Sequence, residues 1–287
     1  MKFLIIQSDG EHKGQDGWTP NWYLRECYAI QHALVQNGQE ADIWGLRHGN
    51  FEHLPDFESY DALFCIENYE TSWLPDFQDI RKPIKLQWII DLHCQDKSNY
   101  SKISSGMDIV LHSTKSLIDE YEEAHKGLSH VWFPNGVDDR YFYPRNIEKK
   151  IDIAFVGSKN PSRKEFIERL ESDIGLKYFF ATGQDMIDIV SSCKIHFNKN
   201  IGVDKNYRIF ETIGLGTCLV TNYDDILDHM GFVDGENVIL YNSYEEASRK
   251  IRQYLDNGKW ESISNGGREL AKSHSYSNRI SELLIQI

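Results

Sequence analysis

The chain has no apolar run of the length that crosses a bilayer, no Walker P-loop, no GxGxxG and no CxxC. Each absence removes a class. A spanning helix needs roughly 18 or more consecutive apolar residues, so no membrane span is expected. ATPase and dinucleotide-binding readings lack their main signal. The start, MKFLIIQSDGEHKG, has only about four apolar residues in a row, too few for a signal-peptide core, and reads as a first buried strand. The five cysteines (Cys27, Cys65, Cys94, Cys193, Cys218) are scattered and odd in number. They read as reduced, buried thiols of a cytoplasmic protein. The stretch HCQD pairs His93 and Cys94 without partners at ligand spacing, so no metal site is expected. Low-complexity tracts and short repeats are also missing.

Positive charge is scarce too. The net charge is −13, and residues 1–144 carry 12 Lys+Arg against 23 Asp+Glu, whereas 145–287 carry 19 against 21. A surface that docks a polyanion is basic, so the acidic first half argues against a nucleic-acid partner.

What is present is ordinary for a globular chain: 287 residues, 40% hydrophobic and 26% charged, enough for one large domain or two of similar size. Continuous apolar runs alternate with helical patterns. KFLIIQ, ADIWGL, YDALFCIE, KLQWIID, MDIVLHS and HVWFP read as strands of a first half. IDIAFVGS, KYFFAT, KIHFN, TCLVTN and NVILY read as strands of a second. Segment 21–38 has helical apolar spacing and stops at Asn37-Gly38. SRKEFIERLESDIG reads as a helix with Ser162 as N-cap and Glu165 three residues on. The pattern predicts α/β halves with parallel sheets covered on both faces. Residues 134–150, polar and bearing two prolines and an Asn-Gly, read as a linker. The expected division is 1–133, linker 134–150, 151–272, and a final helix within 273–287.

Ligands of open parallel sheets bind beyond the carboxyl ends of the strands, where helix N-termini offer free N–H groups to phosphate. In FVGSKNPSRKE, Gly157 and Ser158 follow a strand, with Lys159, Arg163 and Lys164 close by. That is a phosphate-sized basic pocket, or a plain turn with solvated cations. In KNYRIFETIGLGTCLVTN, Arg208 and Glu211 are three apart and share a helix face. They read as a surface ion pair, or as a cation for a diphosphate and a carboxylate whose two oxygens accept from the vicinal hydroxyls of a ribose.

YRIFETIGLGTCLVTNYDDI resembles the donor-site segment of GT-B glycosyltransferases of group 1, especially the type grouped with the spore-coat protein CgeB. WFPNGVDDRYFYP, IDIAFVGS…SRKEFIERL, FVDGENVILYNSYEEASRKIRQYLDN and HSYSNRISELL resemble further family segments, in order, over about residues 130–287. The resemblance implies two Rossmann-like domains facing across a cleft, the C-terminal helix returning to the first, and no cofactor or metal requirement. It implies a nucleotide-diphosphate sugar as donor and a hydroxyl of a glycan, glycoconjugate or small molecule as acceptor. By motif, Arg208, Glu211, Gly216, Thr217, Gly157 and Ser158 would bind the donor. Asn135 and Gly136 would form the hinge. Val203 stands where retaining members carry a second acidic residue, with Asp204 beside it, and Cys218 stands where proline is usual.

For such chemistry the leaving diphosphate needs cations, and Lys159, Arg163 and Arg208 are the candidates. An inverting enzyme needs a base for the acceptor proton. Asp91 at the end of KLQWIID, His93 two residues on, and Asp16 in the glycine-bearing loop with His12, Gly14 and Gly17 are candidates. Asp91 equally reads as a turn residue, His93 as a buried histidine and the loop as plain surface. Trp18, Trp22 and Tyr69 could line an acceptor groove, although most aromatics fill cores. Other readings stay open: a non-catalytic glycan- or nucleotide-binding protein, a glycosyltransferase of modified DNA bases, and a sugar-nucleotide epimerase.

Overall fold

The computed structural model describes residues 1–10, 22–92, 97–203 and 205–287, with the side chains of 22 and 97–99 left aside. The chain divides into two units, Met1–Asn135 with Tyr276–Ile287, and Gly136–Ser275.

Unit 1 contains β1 (Lys2–Ile6), α1 (Glu26–Gln36), β2 (Glu40–Trp44), β3 (Ala62–Ile66), β4 (Ile84–Ile89), α2 (Lys97–Ser104), β5 (Ile109–His112), α3 (Ile118–Ala124) and β6 (Ser129–Trp132). Its strands pair in parallel in the order β2-β1-β3-β4-β5-β6. All five residues of β3, ALFCI, are buried. A strand apolar on both faces belongs in a sheet covered on both sides. Helix α1 buries Cys27, Ala29, Ile30, Ala33 and Leu34, a single helical stripe.

Unit 2 contains β7 (Ile151–Val156), α4 (Pro161–Ile174), β8 (Lys177–Phe179), α5 (Gly183–Ser191), β9 (Cys193–Phe197), α6 (Tyr207–Gly214), β10 (Cys218–Asn222), α7 (Asp225–His229), β11 (Ile239–Tyr241), α8 (Tyr244–Asp256) and α9 (Trp260–Ser273). The strand order is β11-β10-β9-β7-β8, again all parallel. Its core joins Ile153, Phe155, Phe197 and Val220 of the sheet to Ile167 and Leu170 of α4 and Ile251 of α8. Each such side chain contributes about 1.5–3 kcal/mol by leaving water.

The last helix, α10 (Tyr276–Leu284), belongs to unit 1 and packs on α1. Asn37 Nδ2 donates to the Ser277 carbonyl at 2.9 Å, and the Tyr276 ring meets Trp88 edge-on. No described helix is long and apolar enough to cross a membrane.

One local expectation is corrected. The N-cap of α4 is Asn160, not Ser162, because Pro161 occupies the first helical position, where its missing N–H costs nothing. Of the stretch expected as a linker, 134–135 fall in unit 1 and 136–150 in unit 2. Val137 and Phe142 are buried, Val137 bridges Ser275, and Lys149 Nζ reaches the Ser191 carbonyl and Thr217 Oγ1.

The strand orders decide where ligands can enter. From β7 the chain moves outward to β8, then crosses to β9 on the other side. Connections leaving β7 and β9 therefore diverge, opening a crevice at the carboxyl edge between them. Unit 1 has the same switch between β1 and β3.

Candidate functional site

The crevice of unit 2 is flanked by the first turns of α4 and α6, which carry Arg163 and Arg208. The N-caps Asn160 and Asn206 make no side-chain capping bond; their backbone carbonyls accept from the Arg163 and Ile209 N–H groups. Arg163 is half-buried over the Phe155 ring, 5.5 Å from its centroid, and its Nε has no hydrogen-bond partner among the described residues. Burial lowers its pKa, and the Arg208 charge lowers it further. The two guanidinium groups, at the amino ends of two helices, thus lie within reach of each other's charge.

Arg208 and Glu211 share a face of α6, as the spacing predicts, with Nη1 and Oε2 2.7 Å apart. The atoms are not aligned as a hydrogen bond, and neither has another partner among the described residues. The Glu211 side chain is only 15% exposed. Burial pushes its carboxyl pKa up, Arg208 pulls it down, and the Asp138 charge adds to the rise. A mostly buried carboxylate oxygen without a hydrogen-bond donor is a poised acceptor.

Beneath this pair, Thr212 donates its hydroxyl to the Arg208 carbonyl at 2.6 Å and lies 2.8 Å from His196 Nδ1. Because the hydroxyl hydrogen is used, His196 donates through Nδ1. Burial and the Arg208 charge hold its pKa well below the usual histidine range, so the ring is neutral.

The floor of the crevice is a buried amide network that sequence reading missed. Asn198 Nδ2 donates to Asn200 Oδ1 and Thr221 Oγ1, both at 3.1 Å, and Asn206 Nδ2 donates to Asn198 Oδ1 at 3.3 Å. The Asn200 N–H donates to Asn222 Oδ1 at 2.7 Å, and the Tyr241 hydroxyl donates to the Asn198 carbonyl at 3.1 Å. The only signal available was position: Asn198 directly follows β9 and Asn222 ends β10.

Other expected donor residues are placed differently. Gly157 follows β7 with φ 148°, a conformation suited to glycine, but its N–H donates to the Phe179 carbonyl at 3.0 Å. Ser158 is exposed beside it. Lys159 turns away to Glu171, 2.5 Å from its Oε2, and covers the Tyr178 ring at 4.2 Å. Gly216 and Thr217 precede β10 and so lie at the amino edge of the sheet, opposite the crevice. There Thr217 Oγ1 donates to the Val190 carbonyl, and Gly216 packs on Pro144. A parallel strand that starts where α6 ends starts at the edge away from the crevice.

In unit 1, Asp91 lies just past β4, at the carboxyl edge of the sheet. Its Oδ2 accepts from the exposed Tyr69 hydroxyl at 2.8 Å. Its backbone N–H, and that of Ile90, both donate to Glu67 Oε2 at 2.7 Å. Glu67 was not singled out from the sequence; a glutamate one residue past β3 reads as surface. Burial raises its carboxyl to about 7, with the Asp91 charge adding to the rise and the backbone bonds and Tyr100 opposing. His12, Gly14, Asp16, Gly17, Trp18, His93, Cys94 and Asp204 lie outside the described residues, as does the Trp22 side chain. Asn135 is buried, and the division between units falls between it and Gly136.

Comparison with known proteins agrees with this geometry. An alpha-glucosyltransferase in complex with UDP-glucose and abasic-site DNA aligns at a TM-score of 0.71 and 11% identity, over 100% of this chain and 99% of that one. The sucrose-phosphate synthase of Thermosynechococcus elongatus aligns at 0.63 and 13%, over 100% and 99%. Anabaena Alr3699/HepE in complex with UDP aligns at 0.64 and 11%, over 100% of both chains. No curated protein matches by sequence. The two parallel α/β sheets have the GT-B fold of these structures, and residues 147–285 match the family described as Glycosyl transferase-like.

Proposed function

We propose that this chain is a glycosyltransferase that moves a sugar from a nucleoside-diphosphate sugar to a hydroxyl of a glycan, glycoconjugate or small acceptor. The observation that carries the reading is the convergence of Arg163 and Arg208 on the unit 2 crevice, beside the underused carboxylate of Glu211. Two adjacent cations with only one paired acid favour a dianionic ligand. Glu211 then accepts from the ribose hydroxyls. The match of residues 147–285 to a glycosyl transferase-like family supports the same assignment.

In the reaction, the acceptor oxygen bonds to the anomeric carbon as the bond from that carbon to the diphosphate oxygen breaks. The leaving diphosphate gathers charge, which Arg163, Arg208 and the amino ends of α4 and α6 offset. With two guanidinium groups in that role, the transfer is proposed to be metal-independent. Asp91 is assigned as the base that takes the acceptor proton. The ordered motifs favour a hexosyltransferase of the CgeB type, and the buried free thiols Cys27, Cys65, Cys193 and Cys218 suit the cytoplasm.

The test is thermal stabilisation by UDP, GDP, ADP, CMP and dTDP, then by the matching sugars, with wild type and Glu211→Ala. UDP is the first choice because it or UDP-glucose is bound in two of the similar structures. A ligand that binds only the folded state raises its melting temperature by mass action. A shift for one diphosphate that shrinks in the variant supports the donor site. No shift with any nucleotide at several millimolar rejects it. Tight nucleotide binding without hydrolysis or transfer of any sugar turns the reading to a non-catalytic binding protein.

A further inference from the structure

Glu67 sits at the switch point of the unit 1 sheet, one residue past the end of β3. One of its oxygens, Oε2, accepts from two consecutive backbone N–H groups, Ile90 and Asp91, each at 2.7 Å. The same turn is gripped from just past β5, where Ser113 Oγ donates to the Ile90 carbonyl at 2.6 Å. Tyr69, two residues after Glu67, donates to Asp91 Oδ2 at 2.8 Å. The turn after β4 thus has its backbone tied at three points, and its carboxylate is aimed by a fourth. Both bonds fall on Oε2, so this oxygen is committed to holding the turn.

We propose that Glu67 is a positioning residue: it fixes the turn that carries Asp91, and its ionisation sets how tightly that turn is held. This rests on the assignment of Asp91 as the base. A carboxylate accepts from N–H groups more strongly than a neutral carboxyl. The charged and titratable groups facing Glu67 are Asp91 from the β4 turn and Tyr100 from α2, with Tyr69 beside Asp91. Burial and the Asp91 charge raise the carboxyl to about 7; an opening that releases only the two N–H groups leaves it buried, so ionisation tightens this local grip across neutral pH even though it costs stability against global unfolding. The Asp91 charge raises the proton affinity of Glu67, which makes Glu67 responsive where an isolated carboxylate is not.

The experiment follows amide exchange in the peptide covering Ile90 and Asp91 in the intact protein, at pH 6 and pH 8, corrected for intrinsic rates. Wild type, Glu67→Gln and Glu67→Ala are compared. The wild type should be better protected at pH 8 than at pH 6. Gln keeps an acceptor oxygen but does not titrate, so its protection should be the same at both pH values. Ala should exchange at least tenfold faster at both. Equal exchange in wild type and Ala, with both folded by circular dichroism, overturns the proposal. Hydrolysis of UDP-glucose supplies the second readout. In Glu67→Ala, kcat should fall at least tenfold with KM for UDP-glucose within threefold, and Gln should restore most of kcat while losing the acid limb near pH 7. Wild-type kcat in the Ala variant also overturns it. Asp91→Asn separates the two assignments. If that variant turns over normally while Ala speeds exchange, the turn is held by Glu67 but Asp91 is not the base. If wild type does not hydrolyse UDP-glucose, exchange alone decides the positioning role.

Discussion

Arg163 and Arg208 come from the first turns of two different helices, yet they lie close enough that the Arg208 charge depresses the Arg163 pKa. Of the two, only Arg208 has an acid beside it among the described residues, Glu211 at 2.7 Å. Like charges held together without full compensation cost stability in the free protein and repay it when an anion binds. Arg163→Met should therefore leave the melting temperature of the free protein equal or higher. UDP affinity should fall about 10-fold to 100-fold, the scale of losing a hydrogen bond to a charged group. Calorimetric titration with UDP, beside melting curves, checks both signs.

Glu211 offers an oxygen without a hydrogen-bond donor in a site where its side chain is 15% exposed. If it accepts from ribose hydroxyls, wild type should prefer UDP to 2′-deoxy-UDP by about tenfold, the scale of one such bond. Glu211→Gln should narrow the preference. Equal affinities for both nucleotides in wild type would remove Glu211 from the ribose.

Gly214 is the last residue of α6, and a Cβ there would lie 2.8 Å from Val137 Cγ1 and 2.9 Å from the Phe142 carbonyl oxygen. The second neighbour is backbone and yields little. Gly214→Ala should cost about 1–3 kcal/mol, the usual penalty of overpacking. Urea unfolding should show a lower midpoint with an unchanged slope.

Two buried groups should pull stability in opposite directions across the same window below neutrality. Glu67 has its folded-state pKa raised from 4.5 to about 7, so its contribution is present below pH 4.5 and lost as pH rises through 7. His112 is the reverse. Burial and the neighbouring His130 and His125 lower it from 6.5 to about 4, so the native state resists the proton and stability is lost as pH falls from 6.5 towards 4. Each shift corresponds to about 3 kcal/mol over its window. Glu67→Gln should remove the loss of stability as pH rises from 4.5 to 7, and His112→Phe the loss as pH falls from 6.5 to 4, each leaving the opposing slope in place. Parallel profiles for wild type and variant would reject the corresponding assignment.

Much of the fold was legible because its signals are local. A run such as ALFCI is apolar on both faces, and the 3.6-residue stripe of α1 is written into eleven consecutive residues. The shared face of Arg208 and Glu211 is likewise a property of helical spacing alone. What the sequence could not give is where order in space differs from order along the chain. Gly216 and Thr217 follow the Arg208 helix within a few residues, but a parallel strand must begin at the opposite edge. Lys159 looks free in the chain and is taken by Glu171 one helix face away.

Sequence alone determined the parallel α/β halves, their elements and the helix that carries Arg208 and Glu211, since periodicity and short-range geometry need no distant partner. Only tertiary structure decided which charges meet. Insertion of β9 between β7 and β10 brings Arg163 to Arg208. The pairing of β3 with β4 sets Glu67 under the Asp91 turn. Those neighbours are chosen by strand order and burial, and burial is what turns an unremarked glutamate into a group that titrates near 7.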